Sequence, residues 1–302
     1  MPEPAFDVIV CGSLRLDIIV EAPHLPRLDE TAVGHAWRQA CGGKGANQAA
    51  QAARQGARTA MIGRVGNDDF GMRLIAHLDR AGVDRTGVIV DKNTGSGMSV
   101  AIVDAKGDYG AVIVSGANLA TAPEGVAACW AYLGGARVLV LQNEIPHGVN
   151  VAAAQAARRA GALVVFNAAP ARDCGTDLLD LVDVLVVNRI EAEMLSGRPV
   201  HDRPGALAVM MALGANRRTV IVTLGGEGLV VAPAREAPIE MASLPVAAVS
   251  THGAGDCFVG ALAARLAAGN DVVEACRFAN EAAGTFVSTA SARSGPQPEA
   301  KK

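Results

Sequence analysis

The chain has 302 residues, a formal charge of −3, half of its residues hydrophobic and only 3% aromatic. That length allows one large α/β domain or two smaller ones, with a core that needs no disulfide or metal to hold it. A slightly acidic chain with ten aromatic residues lacks both the basic surplus and the stacking platforms of a nucleic-acid binder, and no apolar run approaches the ~20 residues of a membrane span. Met1-Pro2-Glu3-Pro4 carries no basic segment and no hydrophobic signal core, so a soluble, cytoplasmic protein is expected. The six cysteines form no Cys-x-x-Cys pair and no His-Glu-x-x-His occurs, which leaves a zinc site without support.

The first apolar run, Val8–Val10, leads into Gly12-Ser13-Leu14-Arg15-Leu16-Asp17. This is not the Gly-x-Gly-x-x-Gly turn of a dinucleotide-binding fold. Asp17 suits hydrogen bonds from ligand hydroxyls, or is simply a turn aspartate. Ile18–Val20 and Val33–Ala40 then read as a β pair. Cys41-Gly42-Gly43-Lys44-Gly45-Ala46-Asn47-Gln48 follows and opens a helix over Ala46–Gln55. It is not a Walker P-loop, but its glycines would bring backbone close to a small polar ligand. Lys44 is one of three lysines ahead of the C-terminal pair; a plain glycine turn with a solvated lysine fits the same letters.

A strand over Thr59–Ile62 and a helix over Met72–Ala81 come next. A second β pair, Ser99–Val103 and Tyr109–Val114, flanks a hairpin connection. The two β-rich stretches, at about 15–40 and 96–115, have no place in a parallel sheet. They predict a small β appendage over the strand ends, a lid suited to a water-sensitive reaction.

Val138–Leu141, Leu163–Phe166, Val184–Val187 and Thr219–Val222 are strands apolar at nearly every position, as both-face burial demands. Helices over Val149–Ala160, Ile190–Leu195 and Ala206–Leu213 alternate with them. Glycines at 56, 82, 161, 197 and 214 close the helices. The fold class is α/β, with a mainly parallel central sheet and helices on both faces. Asn188-Arg189-Ile190-Glu191 falls directly after a strand, where α/β folds bind ligands. Asn188 and Glu191 could hold metal-bound water, and capping, with Asn188 as N-cap and Glu191 at N3, explains them equally well.

The last motif is Thr251-His252-Gly253-Ala254-Gly255-Asp256-Cys257-Phe258, at the start of a helix over about Ala254–Ala267. Gly253, Ala254 and Gly255 put almost no side chain around unpaired N–H groups, which makes an anion site. A carboxylate at Asp256 is of no use for binding the anion, but it can take a proton from a nucleophile attacking it. Complementing the helix dipole is the structural alternative. Ser294 to Lys302 is expected to be disordered.

Taken together and in this order, the motifs resemble the PfkB carbohydrate-kinase family, above all its ribokinase branch, from about Val8 to about Gly295. Asn167-Ala168-Ala169-Pro170-Ala171-Arg172 and Thr223-Leu224-Gly225-Gly226 add to the likeness. The resemblance implies a three-layer ribokinase-like fold, a single kinase domain over 1–302, and a lid that also makes a homodimer contact. It implies transfer of the γ-phosphoryl group of ATP, with Mg²⁺, to a hydroxyl of a small sugar. Asp256 would be the general base, with Gly253, Ala254 and Gly255 as the anion hole. Asp17, Gly43, Lys44, Asn47 and Glu144 match sugar-binding positions, and Thr223, Gly225 and Asn280 fall in the nucleotide region. Asn188 and Glu191 would organise the Mg²⁺–phosphate shell, the ion being held mainly through phosphates and water near Glu191.

Three departures matter. Arg15 stands where ribokinases usually carry a sugar-binding asparagine. It is cationic and donor-only, so it either favours a substrate with an acidic group or pairs with a carboxylate such as Asp17. Ser250 stands where cation-activated members have aspartate, and Ser291 replaces a glycine, which leaves a K⁺ site open. His252 replaces a smaller residue and reads as lining the nucleotide side. A nucleoside kinase of the same superfamily and a catalytically idle sugar- or nucleotide-binding protein are the alternatives.

Overall fold

The computed structural model describes residues 3–106, 108–246 and 253–289. The chain begins with β1 (Phe6–Cys11), leaves the main body for β2 (Arg15–Glu21) and β3 (Ala36–Gly42), and returns as α1 (Lys44–Arg54), β4 (Thr59–Gly66), α2 (Asp69–Ala81) and β5 (Asp84–Asp91). A second excursion gives β6 (Gly97–Val103) and β7 (Tyr109–Val114). Next come α3 (Val126–Tyr132), β8 (Ala136–Gln142), α4 (His147–Arg159), β9 (Leu163–Asn167), α5 (Thr176–Leu179) and β10 (Val184–Asn188). The remaining elements are α6 (Arg189–Ser196), α7 (Arg203–Val209), β11 (Thr219–Thr223), β12 (Leu229–Ala232), β13 (Ile239–Met241), α8 (Ala254–Ala267) and α9 (Val272–Thr289).

Nine strands form one sheet in the order β13-β12-β11-β10-β9-β8-β1-β4-β5. All neighbours from β11 to β5 are parallel, and β12 and β13 add an antiparallel edge. Alternating side chains of single strands enter two separate cores. Ile9, Leu139, Leu185 and Val222 join Trp130, Val149 and Ala206 on one face. Val8, Val138, Val186 and Ile221 join Ala49, Leu74 and Phe258 on the other. Helices therefore cover both faces, and the continuous apolar runs are the price of that double burial.

The smaller sheet has the order β3-β2-β6-β7. Both expected β pairs are present, β2 with β3 and β6 with β7, and both are antiparallel. The ladder that joins them, β2 with β6, is parallel and was not foreseen. Some expected boundaries shift. Val33 lies outside β3, which starts at Ala36, and α7 ends at Val209, short of Leu213. Missed altogether were β5, β12, β13, α3, α5 and α9. Burial in β5 alternates irregularly along Asp84-Arg85-Thr86, an edge strand without the apolar signature of its neighbours.

Candidate active site

The carboxyl ends of the parallel strands carry the polar residues, as this architecture dictates. Ser13 follows β1, Glu144 follows β8, and Asn167, Asn188 and Thr223 end β9, β10 and β11. The first turns of α1 and α8 meet above them. There Asp256, only 7% exposed, accepts hydrogen bonds from Asn47 Nδ2 and Gln48 Nε2, each at 3.0 Å. Gln48 Nε2 also donates to Asn167 Oδ1 at 3.1 Å, and Asn167 donates to the carbonyl of Val186. The carboxylate is thus fixed from behind by a buried amide relay.

Burial pushes the Asp256 carboxyl above the ordinary range; the charge of Lys44 and the two amide donors pull it back, while Glu144 adds to the rise. A proton acceptor needs such a compromise, because a carboxylate held far below working pH takes up no proton. Gly253 enters α8 at φ 82°, a left-handed conformation that a side chain resists. A Cβ on Gly255 would meet no described residue within 4 Å, so among the described residues the helix start is open to a ligand.

Gln48 closes the Cys41–Gln48 motif, yet nothing in the sequence marks it as a site residue. Its Oε1 is buried without a partner among the described residues, so its amide is oriented by what Nε2 donates to. Gln48→Met removes one donor to Asp256 while filling similar volume. A hydrogen bond to a charged group contributes about 1.5–3 kcal/mol, so the acidic limb of kcat/KM should move up by on the order of one pH unit. The sign follows from the donor stabilising the ionised form. A pH–rate profile checks it, and an unmoved limb contradicts it.

On the β1–β8 side, Glu144 is the hub. Its Oε2 accepts from Ser13 Oγ at 2.5 Å and from the Lys44 backbone N–H at 2.8 Å. Arg15 donates from Nε to Asp17 Oδ1 at 2.7 Å and from Nη1 to Glu144 Oε1 at 3.2 Å. Ser99 Oγ, from the smaller sheet, reaches the same Asp17 oxygen at 2.5 Å. The pairing of Arg15 with Asp17 is therefore real, and Glu144 is a second partner that the sequence did not reveal. Gly43 packs against the backbone of Ser13 and Arg15. Lys44 makes no ion pair with a described residue, yet its charge acts on both Asp256 and Glu191.

On the β10–β11 side, Asn188 and Thr223 are paired across the ladder. Asn188 and Glu191 form a reciprocal capping box: Asn188 Oδ1 accepts from Glu191 N at 3.0 Å and Glu191 Oε2 from Asn188 N at 2.8 Å. Burial pushes the Glu191 carboxyl up, Asn188 and Lys44 lower it, and Asp256 raises it again. Arg189 donates to the Leu224 carbonyl and so ties this corner to the turn at Gly225. Asn280 on α9 donates to the Ala242 carbonyl at 2.7 Å. Ser250, His252, Ser291 and the Ser294–Lys302 segment lie outside the described residues. Among the described residues no group of three or more His, Cys, Asp or Glu side chains could chelate a metal. With both oxygens of Glu191 already accepting from Asn188, the donor set fits a divalent ion held through water and phosphate oxygens.

Among the described residues no helix is long and apolar enough to cross a membrane. The model of the pfkB family carbohydrate kinases matches residues 5–300. A ribokinase of Mus musculus is 37% identical over 268 residues, covering 88% of this chain and 83% of its own. A ribokinase of Haemophilus influenzae is 33% identical, covering 94% and 93%. The solved structure of Arabidopsis thaliana ribokinase complexed with ribose and ATP superposes with a TM-score of 0.84 at 32% identity, covering 95% of this chain and 93% of that one. The larger and smaller sheets are the two parts of that shared fold, and the chain belongs to the pfkB family of carbohydrate kinases.

Proposed function

We propose that the protein transfers the γ-phosphoryl group of ATP to a hydroxyl of a small sugar or sugar derivative, with Asp256 as general base. The observation that carries this reading is the buried Asp256 carboxylate, held by Asn47 and Gln48 at the open start of α8. Asp256 takes the hydroxyl proton as the oxygen attacks the γ-phosphorus in line, and ADP leaves. The backbone N–H groups of Gly253, Ala254 and Gly255 stabilise the charge that develops on the transferring group. Asp17, Arg15, Gly43, Lys44, Asn47 and Glu144 orient the sugar. Asn188, Glu191, Thr223, Gly225 and Asn280 hold the nucleotide side. Mg²⁺, when bound near Glu191 through water and phosphates, supplies charge neutralisation. ADP release over a panel of pentoses, hexoses, sugar acids and nucleosides tests the reading; absence of release with every acceptor defeats it. K⁺ and Na⁺ compared in the same assay test a monovalent cation near Ser250 and Ser291. Reliance on ATP is consistent with a cytoplasmic protein.

In this reading the chain is a single kinase domain, and the smaller sheet is a lid that excludes water and forms a homodimer contact. Its strand alternation supports both roles. Asp17 and Ser99 face the site, while Val100 and Val112, paired across β6 and β7, face away together with Val20 and Trp37. Val112 is 69% and Trp37 67% exposed, an apolar outer face without cover in one copy. Val112→Glu should weaken self-association at least ten-fold in analytical ultracentrifugation. A variant that sediments like wild type would place the dimer contact elsewhere.

A further inference from the structure

On the β1–β8 side of the site lies a cavity of about 140 Å³, lined by Ser13, Arg15, Asn143, Glu144 and Arg172 among others. Asp256 is not part of its lining, which suits the cavity to the end of a substrate remote from the reacting hydroxyl. Two guanidinium groups share this small wall. Arg172 donates from Nη2 to the Ile145 carbonyl at 2.7 Å and makes no ion pair with any described carboxylate. Burial lowers its pKa, with Cys174 alone opposing. A half-buried cation without a counter-ion is costly to maintain, and such a group beside a cavity is suited to receive an anion.

Arg15 completes the wall. Asp17 and Glu144 fix its Nε and Nη1, leaving Nη2 without a hydrogen bond to a described residue. Without Arg15 the lining would set the carboxylate of Glu144 against the single charge of Arg172, with no surplus to attract an anion. Arg15 adds a second cation to that lining and turns donors toward the cavity. Guanidinium forks match carboxylate geometry.

Resting on the kinase reading above, we propose that the substrate is a sugar acid whose carboxylate sits between Arg15 and Arg172 while its hydroxyl at the other end is phosphorylated. The placement separates the substrate carboxylate from the incoming phosphates and so limits like-charge repulsion.

The test is ADP release with matched aldoses and aldonates of four to six carbons, using the wild type, Arg15→Asn, Arg15→Gln and Arg172→Gln. Thermal melts establish that each variant is folded. The wild type should favour at least one aldonate over its aldose by ten-fold or more in kcat/KM. Arg172→Gln should raise KM for that aldonate about ten-fold, and both Arg15 variants should shift the preference toward the aldose by a similar factor. Turnover of aldoses in preference to aldonates by the wild type overturns the inference and leaves the kinase reading intact. A preference for aldonates that both folded Arg15 variants and Arg172→Gln retain in full also overturns it. Turnover of neither series, or of nucleosides alone, removes the sugar-kinase reading and the inference with it.

Discussion

Asp256→Ala should lower kcat by about 10³-fold, within the range that general-base removal produces, while ATP affinity should change little. The neighbouring carboxylates cannot take over. Glu144 is held in place by Ser13, the Lys44 N–H and Arg15, and Glu191 is closed on Asn188 by the capping box. Neither can swing to the substrate hydroxyl without breaking bonds that hold a helix start or the Arg15 guanidinium. Alanine leaves the donors Asn47 Nδ2 and Gln48 Nε2 facing a small gap that water can enter, so the fold survives the change. A coupled ADP-release assay with calorimetric titration of ATP separates the two effects. Retention of more than a few per cent of activity would remove Asp256 from the role of base.

Gly260→Val is expected to be the most damaging change remote from the chemistry. Gly260 lies nearly two turns into α8, where that helix touches α1. A Cβ there would come within 2.5 Å of the Gln48 carbonyl oxygen, 2.7 Å of Gln51 Cβ and 2.9 Å of the Ala52 nitrogen. Two of those atoms are helix backbone and cannot rotate away, so the helices must part. Overpacking of this kind costs about 1–3 kcal/mol, occasionally more, and valine adds two methyls beyond the first clash. A fall in Tm of several degrees should follow. Activity should fall too, at temperatures well below the transition, because α1 carries Asn47 and Gln48 and α8 carries Asp256. Thermal melts and kcat at 25 °C check both parts. An unchanged Tm would show that the two helices have room to spare.

The large sheet was legible because strands buried on both faces are written as unbroken apolar runs, as in Val184–Val187. Edge strands are not written that way. Asp84-Arg85-Thr86 opens β5 with charge, and β12 and β13 turn back against the parallel grain. The two hairpin-like pairs of the smaller sheet were visible from local alternation, but nothing local announces that β2 lies parallel to β6. The site was legible in its glycine motifs and in Asp256, since few other chemistries need a bare helix start with one acid. Its cross-links were not. Ser13 to Glu144 and Asn47 to Asp256 join residues 131 and 209 positions apart, and only the closed sheet brings them together. Arg15 shows both sides of this: its oddity was plain in the sequence, whereas its second partner was not.

The parallel β2–β6 ladder has a further consequence, for the order in which the molecule assembles. It brings together residues 82 positions apart, such as Asp17 and Ser99, and closing so long a loop carries an entropic cost that local pairing does not repay. β1, α1, β4, α2 and β5 must first bring the roots of both excursions side by side. Asn118 then locks them, with its Oδ1 accepting from Leu14 N–H and its Nδ2 donating to the carbonyls of Leu14 and Ser115. The sheet that carries Asp17 should therefore form late and loosen early, whereas the β10–β11 corner draws on the main core. A ligand that reaches from Asp17 on β2 to Asp256 on α8 would span the smaller sheet and the main body, and its binding energy would act as the staple that the covalent chain does not provide.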